Sequence, residues 1–135
     1  IEAYNKGEIS VTLVPQGTLA ESMRAAGMGI PAYYTPTSAG TDLEKGKEVR
    51  EFNGRKYVLE EAIHTDVALI RAKKADTLGN LVYSKTARNF NPVMAMAATY
   101  TIAEVDEIVE PGELDPEDIV TPHIYVNAIV KRSAK

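Results

Sequence analysis

The chain has 135 residues, 44% hydrophobic and 25% charged, with a net charge of -4, values ordinary for one soluble domain with a normal core. No block of Lys and Arg offers a nucleic-acid footprint. There is no cysteine for disulfides or thiolate metal sites, and the longest apolar runs, such as VALI and VMAMAA, fall far short of a membrane span.

In chain order, IEAYNKG (1–7) reads as the last turn of a helix stopped at Gly7. A chain that opens partway through a helix reads as the ordered part of something longer. Ile9, Val11 and Leu13 alternate with Ser10 and Thr12, the period of a half-buried strand. Thr18 and Glu21 form the T-x-x-E pattern of a capping box, so Pro15, Gln16 and Gly17 are expected in a tight strand-to-helix turn. The helix that follows carries Leu19, Met23 and Ala26 on one face and ends at Gly27 and Gly29. Residues 31–36 are extended or irregular, because positions before proline avoid the helical region, and 35–46 read as a loop.

EVREFNGRKYVLEE (48–61) is a hairpin with Asn53-Gly54 at its tip, a dipeptide that accepts the positive φ angles of a type I′ turn. Val67 to Ile70 is a continuous apolar run, the pattern of a strand covered on both faces. Residues 76–80 turn the chain into a short strand, Leu81 to Tyr83. A second strand-turn-helix passage then follows in KTARNFNPVMAMAAT, with Asn91 as helix N-cap and Pro92 at the first helical position. TYTIAEV (99–105) alternates as a strand, and EPGELDPEDIVTP reads as a loop with one helical turn. IYVNAIV (124–130) is a final strand, and KRSAK a solvated tail. The sum is a single α/β domain over 1–135, with an open, mostly parallel sheet, flanking helices and an inserted β-hairpin.

In such sheets ligands bind beyond the carboxyl ends of the strands, where turns lead into helices. Two turns qualify: Pro15-Gln16-Gly17 and Lys85 to Asn91. Gln16 donates and accepts hydrogen bonds but does not titrate. It either meets charge developing on a carbonyl oxygen or hydrogen-bonds neighbouring backbone to shape the turn. Arg88, with Asn89 beside it, either grips a carboxylate or phosphate with its planar fork, pairs with an acid, or braces loop carbonyls. His64 and His123 fit no metal or triad spacing and read as structural or solvated. The carboxylates of 104–119 are scattered among turn residues, so they read as a solvated loop. AGMG closes a helix and is no dinucleotide fingerprint. The residues themselves offer no nucleophile-and-base pair, no metal site and no cofactor site.

LVPQGTLAE, AAGMGIPAYYTPTSAGT, REFNGRKYVLEEAI, HTDVALIRAKKADTLGNLVYSKTARNFNP and VEPGELDPEDIVTPHIYV together resemble the α subunit of family I 3-oxoacid CoA-transferases. The resemblance runs from about Gly7 to Val130. It implies the CoA-transferase fold, related to that of sugar-phosphate isomerases, and the C-terminal two-thirds of an α subunit. The family's N-terminal Gly-Gly-Phe turn, associated with CoA, has no match here. Neither has the Ser-Glu-Asn-Gly stretch of the β subunit that bears the catalytic glutamate. Coenzyme A is implied as a substrate, with no cofactor. Also implied are a β-subunit partner, an α2β2 assembly and a bacterial cytoplasm.

The implied reaction is ping-pong transfer from an acyl-CoA, first of all succinyl-CoA, to a 3-oxoacid such as acetoacetate, with acetate and 3-oxoadipate as rivals. Gln16, at the position of the family's PQG glutamine, is the implied donor to the oxyanion, and Gly17 permits close backbone approach. Arg88 and Asn89 match the family motif, with substrate contact, subunit contact and loop bracing all open. A non-catalytic metabolite-binding or regulatory domain of the same fold is the alternative.

Overall fold

A computed structural model describes residues 1–133. A short helix, α1 (Glu2–Asn5), is followed by an irregular segment into α2 (Gln16–Gly27). Next come β1 (Ala32–Thr35), a loop with a 3-10 turn at Asp42–Glu44, and the hairpin β2 (Val49–Phe52) and β3 (Arg55–Glu61). The chain continues through β4 (Thr65–Asp76), β5 (Leu81–Val82), a 3-10 turn at Lys85–Arg88, and α3 (Asn91–Ala97). It closes with β6 (Ala98–Val109), 3-10 turns at Pro116–Asp118 and His123–Tyr125, and β7 (Ala128–Lys131).

The strands form two sheets. One is mostly parallel, in the order β5-β4-β6-β7, with only β5 antiparallel. The hairpin does not join it. Instead β3 pairs with β1 as well as β2, giving a separate antiparallel sheet in the order β1-β3-β2. The hairpin tip is as the sequence predicts, with Asn53 at φ 51° and Gly54 at φ 76°. At the β4–β5 turn Asp76 is buried, and its carboxylate accepts from the Gly79 and Asn80 backbone amides and the Asn80 side chain. Burial pushes this carboxyl up, but the hydrogen bonds from Asn80, Gly79 and Leu78 outweigh it and hold it below the usual range.

The core lies between the larger sheet and α3. Ala68, Ile70, Ala72, Ala103 and Val105 pack there with Leu81, Tyr83 and Ala95. Small residues let helix and sheet approach closely. A second cluster joins the two longer helices through Met23, Ala26 and Ala97, with Leu19, Phe90 and Val93 around it. Gly27 is required at that contact, since a Cβ there would lie 2.5 Å from the Met96 Cβ.

Three strand expectations need correction. Residues 9–13 form no strand and pair with none among the described residues, and Leu13 is 73% exposed. The alternation is a property of the side chains, whereas a strand also needs a neighbour to take its backbone hydrogen bonds. The Val67–Ile70 run does form β4, but only one face is covered. Ala68 and Ile70 are buried, while Val67 and Leu69 are exposed, Leu69 by 71%. Further along, residues 124 and 125 of the predicted last strand belong to the 3-10 turn His123–Tyr125, and pairing begins only at Ala128. The end of the predicted solvated tail, residues 134 and 135, lies outside the described residues.

Candidate active site at the start of the second helix

The first candidate turn proves to be helix. Pro15 is the N-cap of α2, with φ -57° and ψ 141°, and Gln16, Gly17 and Thr18 form the first helical turn. The predicted capping box is absent. Thr18 is too far into the helix to cap it, and Glu21 turns to Arg24 instead, accepting from its Nε (2.8 Å) and Nη2 (2.6 Å). Hydrogen bonding to Arg24 holds the Glu21 carboxyl below the usual carboxylate range. Proline fixes the entry angle of the chain but has no side-chain acceptor to offer.

This entry leaves the helix start open. The first intrahelical bond runs from the Leu19 amide to the Pro15 carbonyl, 2.9 Å. The amides of Gln16, Gly17 and Thr18 therefore have no acceptor within the helix. No acidic residue occupies the first turn to offset the positive end of the helix dipole. Gln16 is exposed, and among the described residues nothing bonds its side-chain amide. The turn is shaped by Pro15, and the Gln16 amide projects from an uncapped helix end.

Below it the first turn is held to β1. The Tyr33 hydroxyl donates to the Thr18 carbonyl at 2.9 Å, so Ser22 Oγ, 3.0 Å away, donates to Tyr33 in turn. Burial pushes the Tyr33 phenol up. Thr18 is only 3% exposed and its Oγ1 has no hydrogen-bond partner. Thr18 and Ser22 face a cavity of about 410 Å³, together with Val14, Lys47, Glu48 and Glu60. Lys47 and Glu60 pair across it at 2.6 Å.

The second candidate turn is built differently. Arg88 ends the 3-10 turn, and Asn89 closes it with its amide on the Thr86 carbonyl, 3.0 Å. Both side chains are exposed. Among the described residues no hydrogen bond or ion pair joins Arg88 or Asn89 to Gln16, although α2 and α3 pack together. Asn91 is not the N-cap. It is the first residue of α3, with Phe90 before it and Pro92 second. Its Oδ1 accepts from the Arg71 amide (3.0 Å) and its Nδ2 donates to the Ala87 carbonyl (2.7 Å). The side chain thus staples the 3-10 turn to β4. Sequence reasoning missed this role because a helix-start asparagine has the same local signature whichever partner it finds.

His64 is exposed, and His123 lies beside Asn80, whose Oδ1 accepts from the His123 amide at 2.9 Å. Among the described residues no three His, Cys, Asp or Glu side chains converge as a metal site. No helix there is long and apolar enough to cross a membrane.

A sequence profile of the coenzyme A transferases matches residues 2–132. The chain belongs to the coenzyme A transferase family. One subunit of the succinyl-CoA:3-ketoacid coenzyme A transferase of Helicobacter pylori is 65% identical over 125 residues, covering 93% of this chain and 54% of that protein. One subunit of the 3-oxoadipate CoA-transferase of Pseudomonas putida is 57% identical over 129 residues, 96% of this chain and 56% of that protein. The coenzyme A transferase chain described here therefore spans about half the length of these relatives. Among solved structures, an acyl-CoA transferase from Escherichia coli O157:H7, in a thioester complex with CoA, superposes with a TM-score of 0.84. That likeness covers 97% of this chain and 31% of the other at 21% identity, and it shows the fold. The α/β architecture is that of CoA-transferases.

Proposed function

We propose that the chain is part of an α subunit that moves CoA between an acyl-CoA and a carboxylic acid, completing its active site with a β subunit. The observation that carries this reading is the family match over residues 2–132. High identity to proteins named as one subunit of such enzymes supports it further. In this reading a β-subunit glutamate attacks the acyl-CoA thioester carbonyl and expels CoA thiolate, leaving an acyl anhydride. The thiolate then attacks the glutamyl carbonyl and releases the first acid, giving a glutamyl-CoA thioester. The acceptor acid takes the CoA by the reverse sequence. Each attack places negative charge on a carbonyl oxygen.

Gln16 is the donor to that oxygen. The geometry supports this role because its amide is unengaged, exposed and set on an uncapped helix end, and it donates without exchanging a proton. Gly17 keeps the neighbouring backbone accessible, while Arg88 and Asn89 contact the substrate acid or the partner. Succinyl-CoA and acetoacetate are the first substrate pair, with 3-oxoadipate and acetate as rival acids. CoA enters as substrate, and the assembly is α2β2 in the cytoplasm.

The test is CoA transfer from succinyl-CoA to acetoacetate by the full-length protein with its partner, native and Gln16→Ala. Loss of about a hundredfold in kcat, or roughly 3 kcal/mol of barrier, with the melting temperature unchanged is the expected result. Equal rates would remove Gln16 from the mechanism. A native pair idle with all of these acids would replace the enzyme reading by a metabolite-binding or regulatory domain.

A further inference from the structure

A second cavity, of about 340 Å³, lies along the β4 edge on the side of the Lys85–Arg88 turn. Its origin is topological. β5 pairs with β4 only at Lys74 and Ala75, after which the chain parts from the strand. At Lys85 the backbone adopts φ 53°, a left-handed conformation uncommon for any residue but Gly, Asn or Asp. The gap opened beside Arg71–Lys73 is floored by Ala72 and Ala87 and rimmed by Ser84, Lys85 and Thr86.

The charges around this gap are lopsided. Arg71, Lys73, Lys85 and Asp106 line it, three cations to one carboxylate, in a chain whose net charge is -4. Asp106 is already engaged, 3.1 Å from Arg71 and 3.7 Å from Arg132. Among the described residues no carboxylate pairs with Lys73 or Lys85. Two lysines without a carboxylate partner thus line the cavity, together with the hydroxyl-bearing Ser84 and Thr86. The bidentate fork that suits a carboxylate, that of Arg71, is turned to Asp106. What is left are point charges and hydroxyl donors, which suit a dianionic phosphate. At about 340 Å³ the opening has room for a phosphate group.

We propose that this cavity binds a phosphate group of the CoA substrate, held by Lys73 and Lys85. The assignment of the phosphate to CoA rests on the CoA-transfer reading above; the phosphate chemistry does not.

The test uses the assembled subunit pair, native and carrying Lys73→Gln with Lys85→Gln. Two readouts are taken: calorimetric binding of adenosine 3′,5′-bisphosphate and of inorganic phosphate, and steady-state KM and kcat for both substrates. The double variant is expected to weaken bisphosphate binding and raise the acyl-CoA KM by about tenfold each. Its kcat and its KM for the acid stay within about twofold. Lys73→Arg with Lys85→Arg, which keeps the charge, retains binding. An unchanged bisphosphate Kd in the Gln variant overturns the proposal. So does a KM rise confined to the acid, which would make the cavity a carboxylate site. Inorganic phosphate that binds where the bisphosphate does not removes CoA as the source. An idle pair that still loses bisphosphate binding with the lysines would keep the phosphate site and discard the CoA-transfer reading.

Discussion

The two strand-turn-helix passages, residues 9–27 and 81–97, share one sequence pattern and reach different structures. In the second, Leu81 and Val82 pair with β4, and Asn91 ties the following turn back to Arg71 and Ala87. In the first, Ile9 to Leu13 have no strand beside them among the described residues, and α2 begins at Gln16 with no side-chain cap. The passage built into the sheet is braced. The one on its margin leaves the amides of its first helical turn without an acceptor in the helix, and the proposed catalytic amide of Gln16 belongs to it. Donors aimed at a reacting oxygen must not be spent on the fold.

That contrast can be broken most strongly at Gln16, where the expected hundredfold loss of rate comes without loss of stability. The braced passage should answer in the opposite way. Asn91→Ala leaves the Arg71 amide and Ala87 carbonyl without their partner and should cost about 2 kcal/mol, read as a lowered denaturant midpoint. In the assembled pair kcat should hold within about twofold at temperatures where the variant is folded.

The contact between the two passages is probed by Gly27→Ala. The added methyl meets Met96 Cβ, and the strain should destabilise by roughly 1–2 kcal/mol, after part of it is offset by better helix propensity. The smallest effect is expected at Thr18→Val. Its Oγ1 is buried without a partner, so an isosteric methyl should leave thermal stability unchanged or raise it by less than about 1 kcal/mol. A clear loss would mean that this hydroxyl has a partner in the cavity.

Some of this was legible in the residues. Asn53-Gly54 dictates its turn by backbone preference alone, and the hairpin followed. The end of α2 was readable for the same reason, with Gly29 donating to the Ala26 carbonyl and Ile30 to that of Ala25. Thr18 and Glu21 misled because a capping box is a statement about partners, and Glu21 had a better one in Arg24 one turn on. Val67 and Leu69 misled because an apolar run records what a strand can bury, not what lies over it. The site was half legible. Gln16 stood out as an unusual residue near a helix start, but its freedom from hydrogen bonds was visible only in three dimensions. The lysine-lined cavity had no sequence signature, since Lys73 and Lys85 come from separate elements.

By itself the sequence determined the α/β class, the hairpin, the helix faces and the resemblance carried by PQGTLAE, EFNG and TARNFNP. These depend on φ/ψ preferences, periodicity and motif, all properties of neighbours in the chain. The tertiary structure alone decided that the hairpin recruits β1 into its own sheet, that Asn91 staples where it was expected to cap, and that β4 leaves an apolar face open. The first two depend on which distant group satisfies a backbone hydrogen bond, and the third on what packs over the strand. Arg71 and Asn91, twenty residues apart, show why no local pattern could announce it.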